Sequence, residues 1–143
     1  MSDTAVETQA LRSTPFFAGV SDEDIAEIVG MGEQVAFAEG DEIVTQGEPG
    51  EAMYVLLDGT AEVDVGGRFH RLGAGHFVGE MALMSSGKRL ATVKATSPVR
   101  TLRIPGEEFR SFLLEHPQIA VSMLAALSER LREVEQRLDA WMT

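Results

Sequence analysis

The chain has 143 residues, a formal net charge of −11 and no cysteine. This length predicts one domain with a core of its own, and the lack of cysteine excludes disulfides and thiolate chemistry. The negative charge argues against binding to nucleic acid or to an anionic membrane, so an anionic ligand needs a local cation and oriented N–H groups.

Residues 1–10 carry acids and no early basic cluster, which argues against a secretory signal. Since no apolar stretch approaches the ~20 residues of a membrane-spanning helix, we expect a cytoplasmic protein. We expect residues 1–12 to be a flexible tail with a short helix from Ala5, and residues 13–143 to form the folded domain. Residues 15–17, Pro-Phe-Phe, are expected to fold back onto its core.

A helix is predicted after Ser21, which begins a capping pattern and is followed by three acids. Apolar residues then recur at helical spacing, and Gly30 or Gly32 ends the segment. The predicted apolar face consists of Ile25, Ile28 and Val29.

Between residues 35 and 104 the pattern changes to short apolar runs, most of them separated by Gly or Pro. Val63 and Val65 alternate with acids, which is the period of a half-buried strand. Many short strands with Gly-rich turns predict a closed or sandwiched antiparallel sheet such as a jelly roll. The predicted strands are Val35–Phe37, Glu42–Thr45, Met53–Leu57, Ala61–Val65, Arg68–Leu72, Thr92–Ala95 and Arg100–Ile104.

The helical period returns after Pro105, and two helices are predicted within residues 107–142. The first ends before Pro117, because a residue that precedes proline disfavours α geometry. The second carries apolar residues at spacings of 4, 3, 4 and 3, a coiled-coil-like seam of about two heptads. This helix either packs on its own sheet or pairs with a second copy to form a homodimer. The seam residues are Leu127, Leu131, Val134, Leu138 and Trp141. A separate prediction places Met123, Leu124 and Leu127 in the core rather than against a ligand.

The stretch from Phe77 to Val93 carries the chemistry. Gly79 permits a tight turn, and a helical turn predicted directly after it presents unpaired N–H groups, which suit an anion. Arg89 leads into the next strand, and its planar guanidinium suits two phosphate oxygens at once. Glu80 supplies acceptors for a sugar hydroxyl. These residues together indicate a site for a phosphate and a ribose.

This stretch resembles the phosphate-binding cassette of the cyclic-nucleotide-binding domain family, whose pattern is Gly-Glu, an apolar residue, Ala, Leu, then Arg-x-Ala-Thr. The resemblance covers about residues 15–138 and includes the upstream turns, among them residues 46–50, Gln-Gly-Glu-Pro-Gly. The matching cassette residues are Gly79, Glu80, Met81, Ala82, Leu83, Arg89, Ala91, Thr92 and Val93.

The resemblance implies an α+β fold, an antiparallel β-roll with N-terminal helices and a long C-terminal helix that serves as a lid over the base or as a dimer helix. It also implies that Glu80 accepts the ribose 2′-hydroxyl and that Arg89 pairs with the cyclic phosphate. Backbone N–H groups near Met81, Ala82 and Ala91 complete the anion site.

Two positions depart from the family pattern. Lys88 stands where the family often has proline, and Leu90 follows the arginine where the family usually has a small residue. In the family a threonine directly after the arginine, at the position of Leu90, favours cGMP because it bonds the guanine. Because Leu90 has no hydroxyl, the expected ligand is cAMP, with cGMP less favoured and with no cofactor.

Other interpretations stay open on the sequence. Glu80 and Arg89 also fit a surface salt bridge, and the domain also fits a protein-interaction role without nucleotide. A cupin-type metalloenzyme shares the jelly-roll pattern and part of its first motif, His76-x3-Glu80-x6-Gly87, but no second histidine cluster follows. No nucleophile is accompanied by a base and an oxyanion site, so we expect a sensor without catalysis. We expect that the domain acts on an unknown effector protein in trans or that the chain is part of a longer protein.

Overall fold

The structure is a computed structural model that describes residues 3–14, 17–79 and 87–142. Two of the predicted residues near the N-terminus, Pro15 and Phe16, lie outside the described residues. Phe17 is fully buried in the core, which confirms the expectation for this residue.

Short strands form the middle of the chain and helices form its two ends. The helices are α1 (Asp3–Arg12), α2 (Asp22–Met31), α3 (Gly106–Glu115) and α4 (Pro117–Met142). The strands are β1 (Glu33–Phe37), β2 (Glu42–Val44), β3 (Pro49–Gly50), β4 (Ala52–Asp58), β5 (Ala61–Val65), β6 (Arg68–Leu72), β7 (Phe77–Val78), β8 (Gly87–Lys88), β9 (Thr92–Ala95) and β10 (Val99–Pro105). Every predicted strand is present, with its ends within two residues of the prediction.

The strands form two antiparallel sheets and a small ribbon. One sheet has the order β1-β10-β4-β7, the other has the order β2-β9-β5-β6, and β3 pairs with β8. Sequence neighbours such as β1 and β2 therefore lie in different sheets, which is the crossing pattern of a roll. The predicted α+β class and antiparallel β-roll are confirmed.

Strand β4 is buried on both faces of its sheet, and this explains the continuous apolar run in that strand. Met53, Val55 and Leu57 belong to a core cluster shared with the helices, whereas Leu56 belongs to a second cluster between the two sheets. Side chains alternate between the faces of a strand, so one strand serves both clusters. The helices thus form a third layer against this sheet.

The N-terminal boundary differs from the expectation. Residues 3–12 form helix α1, which begins before the predicted Ala5 and packs on β4. Leu11 is fully buried and Ala10 nearly so, because these two residues cover the apolar face of the β4 sheet. Residues 3–12 are therefore part of the folded domain rather than a tail outside it.

Helix α2 begins and ends where the sequence predicts. The Ser21 hydroxyl accepts a hydrogen bond from the Asp24 N–H at 3.2 Å, and Gly32 is the C-cap residue. The predicted apolar face of Ile25, Ile28 and Val29 is buried. Helix α2 contacts α3, and both belong to the same core cluster as Ile119 and Met123 at the start of α4.

Helix α4 is buried only at its beginning. Ile119 and Met123 lie in the core, but the α4 stripe, which we define as Leu127, Leu131, Val134 and Leu138, is 39 to 60% exposed. The alternative in which this seam packs on the chain's own sheet is therefore wrong, since the helix projects beyond the sheet. The prediction of Leu124 and Leu127 as core residues is also wrong, and the side chain of Trp141 lies outside the described set.

Within the described ranges, no helix is both long enough and apolar enough to cross a membrane.

Candidate functional site

A cavity of about 500 Å³ opens between the two sheets beside the predicted cassette. Its walls are mainly apolar and come from β2, β5, β6, β7 and β9. The residues around Gly79 and Arg89 form one end of the cavity. Ligand pockets usually have volumes of about 300–1,000 Å³, so this one is large enough for a small ligand. The described lining consists of Val44, Gly50, Val63, Leu72, Phe77, Val78, Gly79, Gly87, Lys88, Arg89, Leu90, Ala91 and Val93.

The Arg89 guanidinium lies directly on the backbone of Gly79. Gly79 follows β7 with a φ of +79°, in the left-handed region that favours glycine. A Cβ at this position would overlap the Nη1 atom of Arg89. The Nη2 atom of Arg89 donates a hydrogen bond to the Ala52 carbonyl at 2.8 Å. Glycine is thus required here for two reasons, the backbone turn and the close approach of a cation.

The backbone of Arg89 is held by the turn that precedes β3. Its N–H donates to the Glu48 carbonyl at 2.8 Å, and its own carbonyl accepts from the Gly47 N–H at 2.9 Å. Next to it, the short ladder between β3 and β8 pairs Pro49 with Lys88. The turn and the ladder together fix the position from which the Arg89 side chain reaches Gly79.

The same turn is bonded to the beginning of β9. The Gln46 N–H donates to the Thr92 hydroxyl at 3.0 Å, and Thr92 is the threonine of the predicted Arg-x-Ala-Thr pattern. The upstream residues 46–50 and the cassette therefore form one structural unit, although Gln46 and Thr92 are 46 residues apart in the chain.

The charged residues of the described lining are the cations Lys88 and Arg89. The whole chain carries a net charge of −11, so this pair of cations in the described lining stands out from the charge of the molecule. A half-buried guanidinium beside an apolar wall suits an anion that also carries an apolar part, because charge-assisted hydrogen bonds are roughly twice as strong as neutral ones.

The structure brings four of the seven predicted site residues together. Gly79, Arg89, Leu90 and Ala91 all line the cavity, and the Leu90 side chain is 75% exposed at its mouth. The other three, Glu80, Met81 and Ala82, lie outside the described residues. The geometry of Glu80, including its pairing with Arg89 as a surface salt bridge, is therefore not described.

Sequence reasoning missed several contributors to the site. The Ala52 carbonyl anchors the guanidinium, and Val44, Val63 and Leu72 supply much of the apolar wall. A backbone carbonyl leaves no signature in a sequence, and apolar strand residues look alike until the register shows which of them share a face. The family's Gln-Gly-Glu-Pro-Gly turn was the one signal that pointed to this neighbourhood.

The metalloenzyme alternative finds no support around His76. Its Nδ1 atom lies 3.0 Å from the Gly73 N–H, which donates to it within the turn before β7. In the described part of the chain no group of three or more His, Cys, Asp or Glu side chains is arranged to hold a metal ion.

A β-roll with flanking helices and a cation-bearing cavity is the architecture of a regulatory ligand-binding domain. The family model of the cyclic nucleotide-binding domain matches residues 34–116, and the chain belongs to this family. The N-terminal domain of a transcriptional regulator from Streptomyces coelicolor A3(2) has the same fold, with a TM-score of 0.78 and 31% identity, and the match covers 89% of this chain and 95% of that domain.

Two relatives are longer proteins. A putative potassium channel protein of Rhodopseudomonas palustris is 35% identical over 122 residues, which cover 82% of this chain and 30% of that protein. The cyclic AMP receptor protein of Thermus thermophilus is 27% identical over 135 residues, which cover 90% of this chain and 62% of that protein. The chain thus spans less than two thirds of the length of either relative.

The close approach at Gly79 leads to a test that needs no ligand. In Gly79→Ala the new methyl group displaces the guanidinium and breaks its bond to Ala52. We expect the free energy of unfolding to fall by about 2 kcal/mol, from the left-handed backbone of a non-glycine residue and one lost hydrogen bond. Urea unfolding measures this change, and the Arg89 Nε–H signal in NMR reports the displacement.

Gly87→Ala is the matched control, since Gly87 lines the same cavity but a Cβ there meets no atom within 4 Å. We expect it to change stability by less than about 0.5 kcal/mol. A Gly79→Ala variant that is as stable as the control and keeps the wild-type arginine signal would contradict the described geometry.

Proposed function

We propose that this domain binds a cyclic nucleotide in the cavity, that it prefers cAMP to cGMP, and that it signals occupancy to an effector. The observation that carries the proposal is the Arg89 guanidinium, which is seated on Gly79 at one end of an apolar cavity of about 500 Å³. Membership of the cyclic nucleotide-binding domain family supports it. The name of the Thermus relative, a cyclic AMP receptor protein, supports the choice of nucleotide.

The charge of the cavity fits the phosphate end of such a ligand. A cyclic phosphate has one negative charge and two exocyclic oxygens, which a planar guanidinium can bond together. The Nη2 atom donates a hydrogen bond to the Ala52 carbonyl at 2.8 Å, which fixes the orientation of the guanidinium. Preorganisation of this kind lowers the entropic cost of association.

The remaining ligand groups are assigned by the family resemblance. In this proposal Glu80 accepts the ribose 2′-hydroxyl, and backbone N–H groups near Met81, Ala82 and Ala91 bond the phosphate oxygens. The apolar wall formed by Val63 and Leu72, among others, then lies against the sugar and the base.

Our first test of the proposal removes the cation. Arg89→Ala should weaken cAMP binding by about 1.5–3 kcal/mol, the range for a hydrogen bond to a charged group, which is roughly 10- to 150-fold in Kd. The fold should survive, because Arg89 belongs to the cavity wall and to neither core cluster. Isothermal titration calorimetry gives the affinity, and circular dichroism checks the fold.

Arg100→Ala removes the same charge from the surface, where Arg100 lies 4.0 Å from Asp58. It controls for the change in net charge and should bind cAMP as wild type does. The assignment of the phosphate to Arg89 is wrong if Arg89→Ala also binds as wild type, or if it unfolds.

Selectivity is tested at Leu90, at the mouth of the cavity. If a hydroxyl here bonds guanine, as the family pattern implies, Leu90→Thr should tighten cGMP binding by about three- to tenfold, the value of one hydrogen bond. Leu90→Val has nearly the same shape as the threonine variant and lacks the hydroxyl, so it should give no such gain. Equal cGMP affinities of the two variants would show that this position does not select the base.

The α4 stripe suggests how the signal leaves the domain. Leu131 and Leu138 are 60% and 56% exposed, and exposed apolar rows of this length are usually shared with another surface. We propose that two copies pair through this stripe as a dimer with two-fold symmetry. The buried start of α4 belongs to the core. A ligand with different affinities for two states of the protein, which differ in the position of α4, would therefore shift the equilibrium toward the state that it binds more tightly. The effector is either a separate protein or a further module of a longer chain.

The dimer is tested by a double substitution. Leu131→Asp with Leu138→Asp places charges in the stripe and should yield a folded monomer, because unpaired buried charges are costly. Gln136→Asp, on the opposite side of α4, adds a charge outside the stripe and should stay dimeric. Sedimentation velocity at roughly tens of micromolar distinguishes the states, and a wild-type monomer would contradict the pairing.

A further inference from the structure

One row of side chains runs across the whole second sheet and ends at a histidine. Val93 on β9 is opposite Val44 on β2 and Val63 on β5, and Val63 is opposite His70 on β6. Residues directly opposite in an antiparallel pair lie on the same face of the sheet. Since Val44, Val93 and Val63 all line the cavity, the His70 side chain lies on the cavity side of β6.

The alternation along β6 gives the same result. Leu72, two residues from His70, lines the cavity, and residues i and i+2 of a strand share a face. Phe69 directly precedes His70 on the strand, so its side chain lies on the outer face, where it is 64% exposed. His70 is thus the polar end of an otherwise apolar row.

Burial along this row decreases toward the histidine. Val93 and Val44 are buried, Val63 is half-buried and His70 is exposed. Strand β6 is the last strand in the order of its sheet, so the row runs from the cavity wall to the exposed edge of the sheet, where His70 lies next to the lining residue Val63. Within the described ranges no hydrogen bond or ion pair occupies the His70 ring, so its nitrogens are open to a ligand.

His70 also lies away from the phosphate end. Arg89 precedes β9, and β5 separates β9 from β6 in the sheet order. Neighbouring strands are about 4.8 Å apart, which places His70 roughly 10 Å across the sheet from β9. A nucleotide whose phosphate lies at Arg89 can reach this far only with its base.

We propose that His70 is a specificity-determining residue, whose imidazole hydrogen-bonds the purine edge that carries the atoms N6 and N7. This inference rests on the proposed function, since it assumes a cyclic nucleotide with its phosphate at Arg89. Adenine shows a donor and an acceptor on this edge, whereas guanine shows two acceptors. A neutral imidazole has one donor and one acceptor nitrogen, so adenine offers a partner to either nitrogen and guanine only to the donor.

The experiment compares ligands that differ only at this edge. Calorimetry measures the affinities of wild type and His70→Leu for cAMP, for purine riboside 3′,5′-cyclic phosphate, which lacks the 6-amino group, and for 7-deaza-cAMP, which lacks N7. His70→Leu should weaken cAMP binding about three- to tenfold. It should also reduce the wild-type preference for cAMP over at least one analogue to within about twofold.

Phe69→Leu is the control, because Phe69 is next to His70 on the same strand but on the outer face. It should leave the affinities for all three ligands unchanged. Unchanged preferences for cAMP over both analogues in His70→Leu would overturn the role of His70, even when Arg89→Ala loses affinity as proposed. If wild type binds none of the three ligands, the proposed function itself fails, and the role of His70 fails with it.

Discussion

The structure of the site depends on one close contact, between the Arg89 guanidinium and the backbone of Gly79. A cation that approaches a backbone this closely excludes every side chain at that position, and its hydrogen bond to Ala52 fixes its orientation. The turn at residues 46–50 and the ladder between β3 and β8 hold the other end of the arginine. Much of the local architecture therefore serves to present one positive group to a cavity.

This arrangement reconciles a chain of strongly negative charge with an anionic ligand. The net charge of −11 repels polyanions at long range, but screening limits such repulsion to about 8–10 Å at physiological ionic strength. Among the described residues that line the cavity, the charged ones are Lys88 and Arg89, and both are cations. The apolar walls select for a ligand that also has an apolar part, which a nucleotide has and inorganic phosphate lacks.

The sequence predicts the longer elements of this fold well, because they have local signals, among them the alternation of β5, the cap at Ser21 and the proline that begins α4. The resemblance to the family predicts that Gly79 and Arg89 belong to one site, whereas their direct contact is seen only in the structure. Other features depend on information that no local pattern carries. The role of Ala52 comes from a backbone carbonyl, and the place of His70 comes from the register between β5 and β6. Leu124 was predicted as core because apolar spacing shows which residues share a helix face, and not whether the sheet extends far enough to cover them.

Calorimetric titration of the wild-type domain with cAMP, cGMP and 5′-AMP tests the central claim most directly. The three ligands share a purine and a ribose, and they differ in the base or in the charge and ring closure of the phosphate. If Arg89 at Gly79 forms a cyclic-phosphate site with an adenine preference, cAMP binds more tightly than cGMP and 5′-AMP binds more weakly than cAMP. Equal or tighter binding of cGMP would contradict the selectivity, and no heat of binding with cAMP or cGMP would contradict the assignment of the cavity as a nucleotide site.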